Sequence, residues 1–440
     1  MDSIFKAYDV RGKYPDELNE ETAFKIGDAT AIFLKAKKLV VGWDGRTSSE
    51  TLAQKVIEGI ITAGCDVISI DRTTTPLFYF SVNTFSADGG IMITASHNPP
   101  EYNGFKIVGP RSMDIGRENG LEEIEKLMEA KRLPAAKGRI DHQKLIDNYI
   151  NFLVEISGAD KEDFSRMRMV ADASNGMASL VLANLFSKIN VSVVSMFFDI
   201  DGRFPNHSSD ISQAQNLDLL RKNVISSGSV LGVAFDGDGD RIALVDEKGN
   251  IIWPDRILGL LFKYLGRPKT VYDLRISKSI KALMGSRGIV SKVGRTHMQK
   301  AMRENDAAIG GELTGHFFFK ELRYSESAAL AMLYMMVILN RSQQPLSKII
   351  KPLMKYAHSG EISIATSDSP LATSEIFKML KNKYHDGRLN ELDGITVEYP
   401  DWWFNLRVSN TEPVLRLVVE AETRFQMEEK QKELLELLRQ

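Results

Sequence analysis

Short runs of consecutive apolar residues alternate with stretches whose apolar residues recur at helical spacing, and this alternation occurs three times along the chain. The first unit, KLVVGWDGRTSSETLAQKVIEGIITAG, predicts a buried strand over 39–43 that ends at Asp44. A turn with Thr47 and Ser48 then opens a helix with Leu52, Val56 and Ile60 on one face. The second unit, RMVADASNGMASLVLANLF, closes its strand at Asp172, and the third, TVYDLRISKSIKALMGSRG, at Asp273. Each leads to a second strand, over 67–70, 191–197 and 289–293, and then to a third strand that runs into a glycine-bearing turn. Those turns read GGIMITASHNP, LGVAFDGDGDR and AAIGGELTGH. Continuous apolar strands alternating with helices predict parallel strands covered by helices on both faces. Ligands bind at the carboxyl ends of such strands, so three like domains would point three loops into one cleft.

The last eighty residues differ. SGEISIATS and GRLNELDGITVEYPDWWFNLRVSNTEPVLRLVVEAET read as strands and hairpins, with the helix IFKMLKNKY between them and an amphipathic helix, RFQMEEKQKELLELLRQ, at the end. This is a small α+β unit. The expected domains are 1–150, 151–250, 251–357 and 358–440.

Charge and composition narrow the function. The 440 residues carry 56 Lys plus Arg against 58 Asp plus Glu, a net charge of −2, which excludes a general nucleic-acid binder. Cys65 is the single cysteine, so neither an internal disulfide framework nor a cysteine zinc site is available. The start, MDSIFKAYDVRG, lacks a basic segment followed by an apolar one. The longest apolar run, near 328–339, is shorter than the ~20 residues a bilayer requires. The expectation is a cytoplasmic protein without membrane partners, monomeric or a small homo-oligomer.

The loops carry the chemistry. In DGDGDR, Asp236, Asp238 and Asp240 alternate with glycines directly after a strand. Carboxylates so close repel unless a cation neutralises them, and hard oxygen ligands suit Mg²⁺. In TASHNPPEYNGFK, Ser96 stands at a strand end, followed by His97 and Asn98, with Lys106 further on. A serine nucleophile needs a base or a metal to activate it. In GGELTGH, Glu312, Thr314 and His316 are groups that can hydrogen-bond vicinal hydroxyls. In RVSNTEP, Arg407, Ser409, Asn410 and Thr411 form an anion nest suited to phosphate.

Together these segments resemble the α-D-phosphohexomutase family. YDVRG (Tyr8 to Gly12), TASHNPPEYNGFK, DGDGDR, KVG, GGELTGH and SNTEP occur in the family's order over nearly the whole chain. The resemblance implies an α/β fold: three similar mixed α/β-sheet domains with helices on both faces plus a C-terminal α+β domain, around one central cleft. It implies a mutase that interconverts hexose 1-phosphate and hexose 6-phosphate, of mannose, glucose or both. Ser96 would carry the phosphoryl group, and a hexose 1,6-bisphosphate would be the intermediate and activator. Mg²⁺ would be held by Asp236, Asp238, Asp240 and Ser96. Arg11, Lys106, His97 and Arg241 would surround the transferring group with positive charge, and Arg11 and Lys106 would serve proton transfer. Tyr8 and Arg11 would belong to the substrate surface, Glu312 and Thr314 would grip the sugar, and Arg407, Ser409, Asn410 and Thr411 would hold the distal phosphate.

Three positions depart from the family's commonest pattern. KVGRTH places Arg295 where a histidine is usual, with His297 two residues later; Arg275 stands where lysine is common; Thr314 replaces a serine. Arginine at 295 implies charge stabilisation or phosphate binding. A phosphoglucosamine mutase is the alternative, but Leu313 and Asn410 stand where its relatives have Gln and Gly. A catalytically silent sugar-phosphate binder is a further alternative, against which Ser96 and the aspartates are intact.

Overall fold

A computed structural model of the chain describes residues 4–130, 136–365, 373–409 and 414–439. Four sheets follow one another along the chain. In the first, the strands Lys38–Trp43, Asp66–Arg72 and Gly89–Ile93 are parallel, with Lys38–Trp43 between the other two. The second sheet repeats that order with Arg168–Asp172 between Ser192–Met196 and Leu231–Phe235, and the third with Thr270–Asp273 between Gly288–Ser291 and Ile309–Gly311. The threefold unit read from the apolar pattern is therefore a threefold repeat of topology.

The sheets are mixed rather than purely parallel. After each third strand the chain returns antiparallel, as Tyr102–Val108, Ile242–Asp246 and Phe317–Phe319. The reason is connection length: a parallel return needs a crossover of a dozen residues or more, and the loops before these strands are shorter. The three chemistry-bearing loops are thus the tips of these antiparallel returns, all at the carboxyl ends of the parallel strands.

Both faces of the central strand Lys38–Trp43 are buried. Leu39 and Val41 pack into one core with Leu52, Val56 and Ile60 of the helix Ser49–Thr62, while Val40 packs on the other side with Phe78 and Tyr79 of the helix Thr75–Thr84. The apolar stretch near 328–339 is the helix Ala328–Ser342, which is buried nearly all round in a core shared by the second and third sheets. Among the described residues, no helix is long and apolar enough to cross a membrane. The fourth sheet is antiparallel throughout, in the order Ala357–Ala365, Val414–Ala421, Trp402–Val408, Ile395–Glu398, Arg388–Asn390, with the helices Thr373–Lys383 and Arg424–Arg439.

The aspartates that close the first strands have one shared job. Asp44, Asp172 and Asp273 each accept, through Oδ1, the backbone N–H two residues on, at 3.0, 2.8 and 2.8 Å. Each side chain thereby mimics a backbone turn and sends the chain into its helix.

Candidate active site

A cavity of about 500 Å³ lies between loops from all four sheets. Ser96 sits at its edge with φ of +49° and is 1% exposed. Its Oγ donates to Asp236 Oδ2 at 3.0 Å and lies 3.3 Å from His97 Nδ1. The aspartate loop comes this close because Gly237 has no side chain: a Cβ there would stand 2.5 Å from the Ser96 carbonyl oxygen.

Asp236, Asp238 and Asp240 are fully buried, and each offers an oxygen within 4.8 Å of the others. Lys106, on the antiparallel return Tyr102–Val108, donates to Asp238 at 2.8 Å and Asp240 at 2.5 Å. Burial disfavours the lysine's charge, but Asp238 and Asp240 outweigh it and hold Lys106 protonated. Arg241 stands 3.8 Å from Asp236 and His316 3.3 Å from Asp240, and even so Asp236 is not compensated. Burial, with Asp240 and Asp238 adding to it, drives the Asp236 carboxyl well above its ordinary range. Asp238 Oδ1 is buried without a hydrogen-bond partner among the described residues. Buried all-oxygen ligands with an orphaned carboxylate oxygen fit a hard divalent cation.

The remaining groups ring this centre. Arg11 donates to Asp9 at 2.9 Å, to the Ala95 carbonyl at 2.7 Å and to Asn98. His97 is kept neutral: burial is the main cause, and Arg241 and Arg11 add to it, so its ring brings no positive charge to the unphosphorylated site. His316 lies between Glu312, at 3.0 Å, and Asp240, at 3.3 Å, with Arg241 Nε 3.1 Å from its Nε2. Burial and Arg241 oppose a charged ring, but Asp240 and Glu312 prevail and hold His316 up to about 9. Glu312 also accepts from the Gly294 N–H at 2.7 Å, and Thr314 Oγ1 is 3.2 Å from His316 Nδ1. Tyr8 donates to the Val293 carbonyl at 2.9 Å, tying the first domain's start to the third sheet's loop.

Two arginines are more committed than the sequence implies. Arg295 pairs with Asp114 and Glu326, and Arg275, fully buried, forks onto Asp273 and reaches Glu361. Arg407 also meets Glu361, at 3.2 Å, and Ser409 lines the cleft. Asn410 and Thr411 lie outside the described residues. Sequence reading missed Asp114, Glu326, Glu361 and Arg416. Only Arg416 had a signal: it faces Arg407 directly across the strand pair, a like-charge contact that requires an acid between them. Glu361 is that acid, 3.7 Å from Arg416. The segment 210–217 of the second domain, also missed, lines the cleft.

A buried serine beside an acidic triad, in a cleft whose far wall carries arginines, describes an enzyme that moves a phosphoryl group. Residues 2–134, 147–249 and 253–356 match phosphoglucomutase/phosphomannomutase alpha/beta/alpha domains I, II and III, and residues 361–437 match the family's C-terminal domain. A phosphomannomutase of Methanocaldococcus jannaschii is 35% identical over 99% of this chain and 97% of its own length. A phosphomannomutase/phosphoglucomutase of Pseudomonas syringae pv. tomato is 32% identical over 97% of this chain and 93% of its own. The crystal structure of a phosphoglucomutase/phosphomannomutase family protein from Burkholderia thailandensis superposes with a TM-score of 0.88 at 29% identity, covering 99% of this chain and 96% of that one. The chain belongs to the phosphoglucomutase/phosphomannomutase family and is an enzyme of the mutase class, an isomerase.

Proposed function

We propose that Ser96 is the phosphoryl carrier through which this mutase interconverts hexose 1-phosphate and hexose 6-phosphate, of mannose, glucose or both. The observation that carries the reading is the 3.0 Å contact between Ser96 Oγ and Asp236 Oδ2 inside a buried triad of carboxylates. In the first half-reaction the bond between Oγ and phosphorus breaks with its electron pair staying on Oγ, a new bond forms from phosphorus to the sugar hydroxyl oxygen, and the proton that hydroxyl gives up returns the serine to its hydroxyl form. In the second half-reaction the 1,6-bisphosphate, turned end for end, returns its other phosphoryl group to Ser96. Asp236, Asp238 and Asp240, with Ser96, would hold Mg²⁺. When bound, the cation offsets negative charge on the transferring group.

The chain's own residues do the rest. Arg11 and Arg241 flank the serine and hold anionic oxygens, and Lys106, protonated between Asp238 and Asp240, adds positive charge beside the transferring group. Glu312, with Thr314 and His316, grips the sugar hydroxyls; Tyr8 shapes the entry side. Arg407 with Ser409, Asn410 and Thr411 holds the distal phosphate; Arg275 and Arg295 line the cleft as substrate-contacting groups while paired with Asp273 and Glu361 and with Asp114 and Glu326. This local charge lets a chain of net charge −2 bind an anion. The site sits in the cytoplasm in this reading, in keeping with one free, buried cysteine.

The test is Ser96→Ala. Turnover falls by several orders of magnitude while the protein stays folded, and intact mass loses the phosphate that wild type carries. Full activity in a folded sample free of wild type would refute the carrier role.

A further inference from the structure

The carboxylates of the three strand-end aspartates meet different side chains. In the second unit, Asp172 Oδ2 meets His207 at 3.1 Å. In the third, Arg275 forks onto Asp273 and turns toward Glu361. In the first, Arg46 stays 3.2 Å from Asp44 Oδ2 but folds beneath the serine loop. Its Nη1 donates to the carbonyls of Pro99 at 2.7 Å and Tyr102 at 3.0 Å. Its Nη2 donates to those of Ser96 at 2.9 Å and Asn98 at 2.6 Å. One planar fork thus gathers four carbonyls of the segment 96–102, a task for which a lysine has neither the shape nor the spread of donors. Arg46 is 3% exposed and does not line the cleft.

The loop it gathers is under constraint. Ser96 has a left-handed φ of +49°, which a non-glycine residue keeps only when its surroundings impose it. Gly237 presses on the Ser96 carbonyl from the aspartate side. Arg46 Nη2 donates to the same carbonyl, with the Phe204 ring of the second domain 5.1 Å from its guanidinium. The turn carrying Arg46 is itself wedged against that domain, since a Cβ on Gly202 would stand 2.4 Å from the Arg46 Cα.

We propose that Arg46 is a positioning residue for phosphoryl transfer: by holding the carbonyl side of the 96–102 loop, it keeps Ser96 Oγ in register with Asp236. The proposal rests on Ser96 being the phosphoryl carrier. The carrier must give up a phosphoryl group and take one back from the other end of the sugar, so the loop must return to one geometry after each transfer. Arg46 touches neither the sugar nor the phosphoryl group, and it exchanges no proton.

The experiment is single-turnover transfer from purified phosphoenzyme to glucose 1-phosphate and mannose 1-phosphate, followed by intact mass, for wild type, Arg46→Ala and Arg46→Lys. A displacement of ~1 Å at a reacting atom costs about 100-fold. Both variants should lose about that much in transfer rate and kcat, with KM unchanged within about threefold. Millimolar guanidinium should restore part of the rate in Arg46→Ala and none in wild type. If Arg46→Ala does not fold, Arg46→Lys carries the same criteria. A transfer rate within about twofold of wild type in a folded variant overturns the proposal, since the ~1 Å argument then fails. So does a loss that only tracks the unfolded fraction and resists guanidinium. Wild-type enzyme that carries no phosphate on Ser96, or carries it without passing it to sugar, overturns the Ser96 reading itself and the proposal with it.

Discussion

Arg295 and Asp114 form an ion pair across the seam between the first and third sheets, with 2.6 Å between guanidinium nitrogen and carboxylate oxygen. Glu326 closes on the same guanidinium at 2.8 Å, and the Tyr79 ring lies 4.4 Å away. One cation therefore serves two buried acids, a structural task that the usual histidine of this loop, a weaker base, would perform less completely. Burial pushes the Asp114 carboxyl up to about 7, with Arg295 working against the shift and Glu326 with it.

Removing Arg295 strands both acids. Arg295→Ala should therefore cost about 3–5 kcal/mol of stability near neutral pH, the range for breaking a buried pair. The sign of its pH dependence follows from Asp114. A carboxyl whose folded pKa is raised contributes stability below its unfolded value that is lost as pH rises through the folded one. Without Arg295 the folded pKa rises further, so the variant's deficit should be larger at pH 8 than at pH 5. Urea unfolding of both proteins at the two pH values measures it. Equal deficits would mean that the acids are not stranded.

Glu361 gives the opposite sign. Burial opposes its charge, but Arg275, Arg407 and Arg416 outweigh burial and hold its carboxyl down to about 2. Its contribution is fully present above the ordinary value of 4.5 and is lost as pH falls through about 2. Glu361→Gln should cost about 3 kcal/mol at pH 6. The gap from wild type should close between pH 4.5 and 2. Thermal melts of the two proteins across that window decide it; a gap that persists undiminished at pH 2 would assign the loss to packing.

The repeat was legible because strand burial on both faces leaves an unmistakable trace: Leu39, Val40 and Val41 are all apolar since neither side of their strand meets water. The antiparallel returns were not read, although Tyr102–Val108 has the same buried character, because periodicity carries no direction. The loop residues were legible because Asp236, Asp238 and Asp240 stand together in sequence. The counterions were not, because Glu326 and Glu361 are single acids in ordinary strands, and only the fold brings them to Arg295 and Arg275.

The acidic triad predicts a stability readout for metal. Burial beside Asp240 and Asp238 disfavours the charge of Asp236 despite its cationic neighbours, so a cation that binds the folded state alone should raise the melting temperature. Millimolar Mg²⁺ should raise the Tm of EDTA-treated protein by a few degrees and restore its activity. Asp238→Asn removes the carboxylate whose Oδ1 lacks a partner and should abolish the shift while leaving a folded protein. Identical melts with and without Mg²⁺, in protein shown free of metal, would count against the site.

Arg407 sits on the fourth sheet, far along the chain from Ser96, yet both line the same cleft. It is 5% exposed, it meets Glu361 at 3.2 Å, and its Nε has no hydrogen-bond partner among the described residues. A guanidinium that lines the cleft is a group with which a phosphate oxygen would pair. Binding energy from the distal phosphate positions the reacting hydroxyl, so its loss should lower kcat as well as weaken binding. Losing a charge-assisted hydrogen bond costs about 1.5–3 kcal/mol. At tenfold per 1.36 kcal/mol, Arg407→Ala should reduce kcat/KM by roughly one to two orders of magnitude. The residue also answers Glu361, which keeps Arg275 and Arg416 as partners in the variant, so the fold should hold. Steady-state kinetics with equal phosphoserine content in variant and wild type isolates the effect. An unchanged kcat/KM would remove Arg407 from the distal phosphate site and leave its pairing with Glu361 as its only role.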